Sequence, residues 1–227
     1  MATKTRAKTA VRPGTGKGGR RPTVKVKRGR DIPLLPIAVA AILVVFMVGL
    51  IIYVVENNKS TAPQTVAGIP CDQGEHSQVH YHAAVQIVDQ GNVHPIPDGV
   101  GIITDPTSAA VTCYYWLHVH TGEANVVHIE APATQTFTLG QFFAVWSNWS
   151  KLNGGASQNL DATHVSTLTL AAGQKLVVYV DLQDGKGPQP YTADPKAIVL
   201  REHEVITLEI TPPEVTPPPA FTFPSGT

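Results

Sequence analysis

Two histidine pairs and one further histidine carry the most specific chemical signal in the sequence. Each pair has the form H-x-H, and Glu130 closely follows the single histidine. Neutral imidazole is a strong ligand for zinc and copper, and H-x-H pairs on adjacent strands aim several ring nitrogens at one point. The pattern therefore predicts a site for a divalent metal, Cu²⁺ or Zn²⁺. The predicted ligands are His80, His82, His118, His120 and His128.

Residues 113–130 (CYYWLHVHTGEANVVHIE) are typical of two strands joined by a hairpin. Side chains alternate between faces along a strand, so His118 and His120 share one side. Residues 121–125 have the composition of a hairpin loop. A loop of this length pairs His118 with His128 and places three imidazoles on one face. A slip of one residue would move His128 to the other face.

The residue types do not distinguish copper from zinc, because both ions accept imidazole ligands with one carboxylate. A blue-copper site needs a cysteine thiolate with two histidines, usually with an axial methionine. The only methionines, Met1 and Met47, precede the histidine-bearing domain, and Cys113 has the opposite strand parity to His118. We therefore expect neither an electron-transfer copper centre nor methionine-based copper(I) carriage. The remaining histidines lack such spacing and are expected at the surface or in loops: His76, His94, His164 and His203.

Three classes of function fit this pattern. The first is a binding module that holds the ion through the histidines. The second is a metalloenzyme, in which three histidines hold the ion, water takes the open position and Glu130 acts as the base. The third is an envelope or assembly protein without metal, whose histidines hydrogen-bond one another. The sequence has no glycine-rich phosphate loop and no G-x-S-x-G motif, so it gives no sign of a nucleotide-binding or serine-hydrolase site.

The chain has two cysteines, Cys71 and Cys113. In an oxidising compartment they form the only intramolecular pair, so we expect a disulfide between the start of the domain and its central strand. The alternative is a free thiol at Cys113 that ligates the metal, which the strand parity disfavours. A disulfide that closes the loop between Cys71 and Cys113 should stabilise the fold by roughly 2 to 4 kcal/mol.

Basic residues are concentrated at the start of the chain. Lys and Arg total 17, of which 11 precede residue 32, whereas 15 of the 17 Asp and Glu residues follow residue 57. Residues 34–55 carry no charge and are long enough, as a helix, to cross a hydrocarbon core of about 30 Å. We predict a transmembrane helix at 33–55 rather than a cleaved signal peptide, whose apolar core is about 7 to 15 residues. The positive-inside rule then predicts a single-pass protein of the cell membrane, with a cytoplasmic amino terminus and all nine histidines outside.

Composition divides the chain into five segments. They are a basic cytoplasmic arm (1–32), the transmembrane helix (33–55), a polar stalk (56–70), an extracytoplasmic β domain (71–211) and a proline-rich tail (212–227). We expect the arm to be disordered and to set the topology, and contact with anionic lipid headgroups is the alternative role. No aromatic residue interleaves with its basic residues, so we expect no nucleic-acid binding. The tail is expected to be extended, and the sequence indicates no protein partner.

The domain is predicted to be mainly β. One strand, 78–88, carries the first histidine pair on its less apolar face. A capping box at 138–141 begins an amphipathic helix at 138–149. Further short strands are predicted at 165–170, 175–181, 197–200 and 204–210. This pattern favours a single antiparallel β-sandwich or barrel-like domain, of cupredoxin-like or immunoglobulin-like type, with one helix.

Four motifs together resemble a family of membrane-anchored, exported bacterial and archaeal proteins of unknown function. The motifs are H-x-H (80–82), C-Y-Y-W-L-H-V-H (113–120), V-H-I-E-A-P (127–132) and F-T-L-G-Q-F-F-A-V-W (137–146). The similarity extends from about residue 71 to residue 210. Members of the family have H-T-H at the position of 118–120 and Asn-Gly at that of 184–185, and neither difference changes a candidate ligand. The resemblance implies an extracytoplasmic domain with these boundaries and singles out the histidine motifs, but it implies no reaction.

Overall fold

The computed structural model describes residues 34–57 and 65–227. They belong to two separate compact units, one ending at Lys59 and the other beginning at Ser60. The basic arm predicted at 1–32 and the middle of the predicted stalk lie outside the described residues, so what was expected of them stays a prediction. The first unit contains an apolar helix, and the second has a β-rich fold.

The helix of the first unit is α1 (Leu34–Asn57). Its segment Leu35–Val54 has a mean hydropathy of 3.1 and is not buried. A helix of about 20 residues spans about 30 Å, the thickness of the hydrocarbon core of a bilayer. By length and composition, α1 can serve as a membrane anchor or as a signal sequence.

The second unit is mainly β with one helix, as predicted. Its described residues form three sheets and the helix α2 (Leu139–Leu152). The strands are β1 (Cys71–Asp72), β2 (Val79–Asp89), β3 (Asn92–His94), β4 (Ile102–Thr104), β5 (Val111–Tyr115), β6 (Leu117–His118), β7 (Val126–Ala131), β8 (Asn159–Leu160), β9 (His164–Ser166), β10 (Leu168–Thr169), β11 (Lys175–Asp181), β12 (Gln189–Tyr191) and β13 (Val205–Thr211).

The largest sheet has seven strands. Its path runs β12-β11-β13-β2-β7-β6, and β3 pairs with β2 beside this path. The pairings are antiparallel, as expected, with one exception: β13 lies parallel to β2, so that Val205 is the partner of Ala84. Parallel neighbours cannot be joined by a hairpin and need a long connection. Here the connection includes α2 and most of the other strands.

The apolar core lies on one face of this sheet. Alternate residues of β2 and β13, such as Val85 and Ile206, are buried there together with Phe142 of α2. The predicted capping box is present, because the Thr138 hydroxyl accepts from the Gln141 N–H and Gln141 Oε1 accepts from the Thr138 N–H. The helix therefore begins where the sequence predicts, and its aromatic side chains are core residues.

The proline-rich tail (212–227) covers part of the opposite face. Gln86 of β2 donates from Nε2 to the Pro219 carbonyl oxygen at 3.0 Å. The Val215 N–H donates to Glu209 Oε1 of β13 at 2.6 Å. The tail thus packs on the sheet and buries polar side chains, and the histidines of β2 lie on the same face, nearer the start of that strand.

The Cys71–Cys113 disulfide is present, as predicted. It joins β1 to β5, which lie in a small three-stranded sheet with β4. The chain leaves β5 at Tyr115 and enters β6 at Leu117. The disulfide therefore fixes the start of the domain beside the segment that leads into the histidines.

Two of the predicted strands differ from the structure. Residues 165–170 form two strands, β9 and β10, because Ser166 turns the chain with a positive φ of 57°. Residues 197–200 do not form a named strand, since Pro195–Ala197 is a 3₁₀ turn. Proline fixes φ near the value of a helical turn. The apolar pattern there reflects the burial of residues such as Ile198 and not a strand.

Candidate metal centre

Three neighbouring strands place histidines side by side on the sheet face away from the core. In the register of β6, β7 and β2, His118 lies opposite His128, and His128 lies opposite His82. His80 lies opposite Glu130 in the same way. The predicted pairing of His118 with His128 is thus confirmed.

His118 is fully buried and held in one tautomer. Its Nδ1 lies 2.8 Å from the Tyr115 carbonyl oxygen, which can only accept a hydrogen bond, so Nδ1 carries the proton. Burial lowers the pKa of His118 to about 4, although the nearby Glu130 charge opposes this effect. The ring is therefore neutral and has a lone pair on Nε2, the form in which imidazole binds metals.

His120 and Glu130 lie beside this lone pair. The Nε2 atoms of His118 and His120 are 3.0 Å apart, and Glu130 Oε1 lies 4.0 Å from the first and 3.9 Å from the second. The Glu130 carboxylate raises the pKa of His120. Burial alone would raise the pKa of Glu130, but the imidazoles of His120 and His128 hold it well below its usual range. Glu130 is thus a buried anion among imidazoles.

His128 provides a second unpaired nitrogen. Its Nε2 donates to Glu123 Oε2 at 2.5 Å, so Nδ1 carries no proton in the neutral ring. This Nδ1 lies 3.6 Å from Glu130 Oε1 and is buried without a hydrogen-bond partner among the described residues. Such an acceptor is unfavourable unless another group binds it.

One ligand atom from each of His118, His120, His128 and Glu130 lies within 4.8 Å of the others. In a tetrahedral site with ligands about 2.0 to 2.1 Å from the ion, neighbouring ligand atoms are about 3.3 Å apart. The separations among these atoms include 3.0 Å between the two Nε2 atoms and 4.0 Å from His118 Nε2 to Glu130 Oε1. This buried cluster could hold a metal ion after small side-chain rotations.

The other histidine pair borders this cluster. His80, His82 and His128 form a second group whose ligand atoms lie within 4.8 Å of one another. Burial, and then the charges of His128 and His80, lower the pKa of His82 to about 4. His80 is 47% exposed, and its Nε2 lies 3.4 Å from Glu130 Oε1. The structure thus brings all five predicted histidines to one face but divides them between two groups.

Two acidic residues beside the cluster were not predicted. Glu75 Oε1 lies 3.4 Å from His120 Nε2 and 3.8 Å from His118 Nε2, at the exposed edge. Glu123 orients His128 through its hydrogen bond. Glu123 follows His120 closely in the run H-x-H-x-x-E, so the local sequence contains a signal for it. Nothing in the sequence connects Glu75 with histidines so far along the chain.

The loop that carries Glu75 is held by contacts of its neighbours. Asp72 Oδ2 accepts from Trp116 Nε1 at 2.7 Å and lies 2.7 Å from His76 Nε2. Cys71, the residue before Asp72, forms the disulfide. Glu75 therefore belongs to a short segment that is fixed on both sides.

The four histidines outside the predicted ligand set are all at least partly exposed, as expected. His164 pairs with an aspartate, and His94 ends β3. His203 is 46% exposed, but its ring centroid lies 6.5 Å from that of His82, and with Glu202 these residues form a third group of candidate ligands. Its position beside His82 follows from the parallel pairing of β13 with β2, which the local sequence does not indicate.

Comparison with known proteins does not assign a function. No family model, curated protein or solved structure matches the chain. The resemblance drawn from the histidine motifs therefore stays a prediction.

Proposed function

We propose that this chain is a membrane-anchored protein whose extracytoplasmic domain binds a divalent transition metal, Cu²⁺ or Zn²⁺. The ligands are His118, His120, His128 and Glu130, whose ligand atoms converge in the buried cluster. The protein is in this view a binding module, in which His118, His128 and Glu130 lie on the strands β6 and β7 and His120 lies just after β6.

The observation that carries the proposal is that two imidazole nitrogens, each with a lone pair, face the same buried cluster. In the neutral rings His118 Nε2 and His128 Nδ1 carry no proton, because the other ring nitrogens donate, to the Tyr115 carbonyl and to Glu123. Metal-ligating histidines almost always donate their second N–H in this way. A buried acceptor left unsatisfied costs about 1 to 3 kcal/mol, and a bound cation would remove that cost.

The donor types support the choice of ion. Imidazole ligands suit zinc and copper, whereas calcium and magnesium prefer sites built from oxygen ligands. The carboxylates of Glu130, Glu123 and Glu75 surround the cluster and attract a divalent cation. Affinity in the divalent series rises to copper, so the supply of ions in the compartment decides which of the two is bound.

The proposed location rests on α1 and on the distribution of charge. The basic residues before α1 and the scarcity of Lys and Arg after it support a cytoplasmic location for residues 1–32 and an outside location for the β domain. The disulfide fits an oxidising compartment. In this orientation the arm contacts anionic lipid headgroups, and the resemblance to membrane-anchored, exported proteins agrees with it.

Metal analysis of the full-length protein, purified in mild detergent without chelator, tests the proposal. We expect the wild type to retain zinc or copper through dialysis, and the His118→Ala, His120→Ala double variant to lose it. His164→Ala, in a remote and exposed histidine, should keep the metal. Equal affinities of wild type and double variant for Zn²⁺ and for Cu²⁺ would contradict the proposal and favour an envelope or assembly protein without metal.

A second candidate function is a metalloenzyme, and Glu75 is the observation that favours it. Its side chain is 39% exposed, and Oε1 lies 3.4 Å from His120 Nε2. Three histidines would hold the ion, and a carboxylate beside it would take a proton from bound water. Glu130, the base expected from the sequence, is buried among the ligand atoms, whereas Glu75 can exchange protons with solvent.

Hydrolysis of a p-nitrophenyl ester by the zinc-loaded protein separates the two functions. An enzyme that uses Glu75 as base should lose turnover in Glu75→Gln while the metal stays bound. Glu130→Gln should weaken metal binding itself, because it removes a charged ligand. Turnover no higher than that of the zinc-free protein would reject esterase chemistry and leave the binding module.

A further inference from the structure

We propose that a second divalent ion binds next to the first, held by His80 and His82 and bridged to the first through Glu130. This inference rests on the proposed function, because the bridging carboxylate is also a ligand of the first ion. It changes the stoichiometry from one ion to two and makes the site a dinuclear centre.

Glu130 stands between two sets of imidazoles. On one side its Oε1 lies 4.0 Å or less from ring nitrogens of His118, His120 and His128. On the other side, the same oxygen lies 3.4 Å from His80 Nε2. Because β7 is the middle strand of the three, a carboxylate on it reaches ligands on both neighbours. A carboxylate oxygen has two lone pairs, and the second oxygen offers two more, so Glu130 can serve two ions.

The number of donors exceeds what one ion of this class takes. Zinc in proteins is almost always four-coordinate in structural sites, and the buried cluster already supplies four donors. His80 and His82 are then left over, although their ligand atoms lie within 4.8 Å of a nitrogen of His128. The ring centroids of His80 and His82 are 4.8 Å apart, so the pair is close enough to share an ion.

Both residues of the second pair suit a ligand role. His82 is buried beside His128, with ring centroids 4.4 Å apart, and a second ion would give its nitrogen a partner. His80 is about half exposed. The second ion would thus face solvent on one side, where water or an anion such as phosphate or a carboxylate could complete its coordination.

Two divalent cations that share a bridging carboxylate repel each other, so a dinuclear centre needs anions around it. Ions in two-metal sites lie about 3.5 to 4 Å apart, and their repulsion is offset by carboxylates between and beside them. Glu130 lies between the two histidine sets, Glu123 contacts His128, and Glu75 lies beside His120. These three carboxylates offset three of the four positive charges of two divalent ions.

Zinc stoichiometry of the full-length protein in detergent tests the second site. After stripping with chelator and titration with Zn²⁺, the wild type should bind two ions, the second more weakly. The His80→Ala, His82→Ala double variant should bind one, through the ligands of the first site. His164→Ala is the matched control and should bind two.

The outcomes separate this inference from the proposed function. One ion in the wild type, with loss of that ion in His118→Ala, would overturn the second site and keep the first. No ion in the wild type would overturn both. One ion whose affinity depends equally on His80 and His118 would replace the dinuclear centre with a single ion of higher coordination number.

Copper gives an independent measurement that does not depend on the stability of a variant. Two Cu²⁺ ions a few ångströms apart couple magnetically. The electron paramagnetic resonance spectrum of the wild type should therefore lose intensity or show dipolar splitting as the second equivalent of Cu²⁺ is added. The His80→Ala single variant, which changes a half-exposed side chain, should give the spectrum of isolated Cu²⁺. An uncoupled spectrum at two bound equivalents in the wild type would overturn the bridged arrangement.

Discussion

His118 and His120 bring their Nε2 atoms to 3.0 Å from each other. Because His118 gives its only proton to the Tyr115 carbonyl, the contact requires His120 to donate from Nε2 when no ion is bound. An ion that binds both nitrogens must displace this proton. The contact therefore couples metal binding to proton release.

Removing either histidine of this pair should weaken metal binding steeply. Residues that only orient a ligand typically contribute 10- to 100-fold to affinity, so His118→Ala or His120→Ala should cost about 100-fold or more. Binding should also weaken as pH falls, because a protonated imidazole cannot ligate. Calorimetry at two pH values measures both effects. An unchanged affinity in both single variants would exclude the pair as ligands.

Glu123 should affect metal binding without touching the ion. Its hydrogen bond to His128 Nε2 holds the ring so that Nδ1 faces Glu130. Glu123→Gln should lower the affinity for Zn²⁺ by about 10- to 100-fold, because the ring loses its orienting partner. Asp161→Asn, a change at an exposed residue beside His164, is the matched control and should bind as the wild type does.

The disulfide should contribute a measurable part of the stability. Mass analysis without reductant should show the protein two hydrogens lighter than its reduced form. Replacing Cys71 and Cys113 with serine should lower the free energy of unfolding by about 2 to 4 kcal/mol. Denaturant titration followed by fluorescence of Trp116, Trp146 and Trp149 measures this. Two thiols that alkylate readily in the native protein would contradict the bond.

Stability should fall as pH rises through neutrality because of Glu204. Burial raises the pKa of this fully buried carboxyl to about 7, although Arg201 lies 3.4 Å away and opposes the effect. The pKa of Glu204 is higher in the folded state than in the unfolded state. The contribution of Glu204 to the free energy of unfolding is therefore fully present below pH 4.5 and is lost as pH rises through about 7. Glu204→Gln should remove this loss of the free energy of unfolding, which is roughly 3 kcal/mol at pH 8.

Chemical denaturation of wild type and Glu204→Gln at pH 5 and pH 8 measures the difference. All other titratable groups are the same in both proteins, so the comparison isolates Glu204. Glu202→Gln, a change at a neighbouring exposed residue that pairs with His203, should keep the loss of stability that Glu204 causes. The same slope in all three proteins would show that Glu204 is ionised without penalty.

The membrane orientation can be tested on intact cells. If α1 is an anchor and the basic arm is cytoplasmic, protease added outside should remove the β domain and leave a fragment that contains α1. Disruption of the cells before treatment is the control for access to the arm. Protection of the domain, or a mature amino terminus near residue 57, would contradict the anchor.

Local patterns were sufficient to predict the strands that carry the histidines. Alternation along the chain and a short loop determine which face His118 and His128 share, and neither depends on the rest of the fold. The capping box at Thr138 is likewise a local feature. The disulfide could be predicted because Cys71 and Cys113 have no other partner in an oxidising compartment.

Contacts between distant segments could not be predicted in this way. Glu75 reaches His120 only because the disulfide and Asp72 hold its loop. His203 lies beside His82 because β13 inserts next to β2, a pairing that leaves no periodic trace in either segment. The 3₁₀ turn near residue 197 shows the same limit, because burial alone gives an apolar pattern resembling that of a strand.

The parallel pairing of β2 with β13 sets the order in which the domain can assemble during synthesis. Ala84 is made early, but its neighbour Val205 becomes available only when nearly the whole domain has left the ribosome. Contacts between residues so far apart in sequence form slowly. Until then β2 has an open edge beside His82, so an emerging chain truncated before β13 should be prone to aggregation.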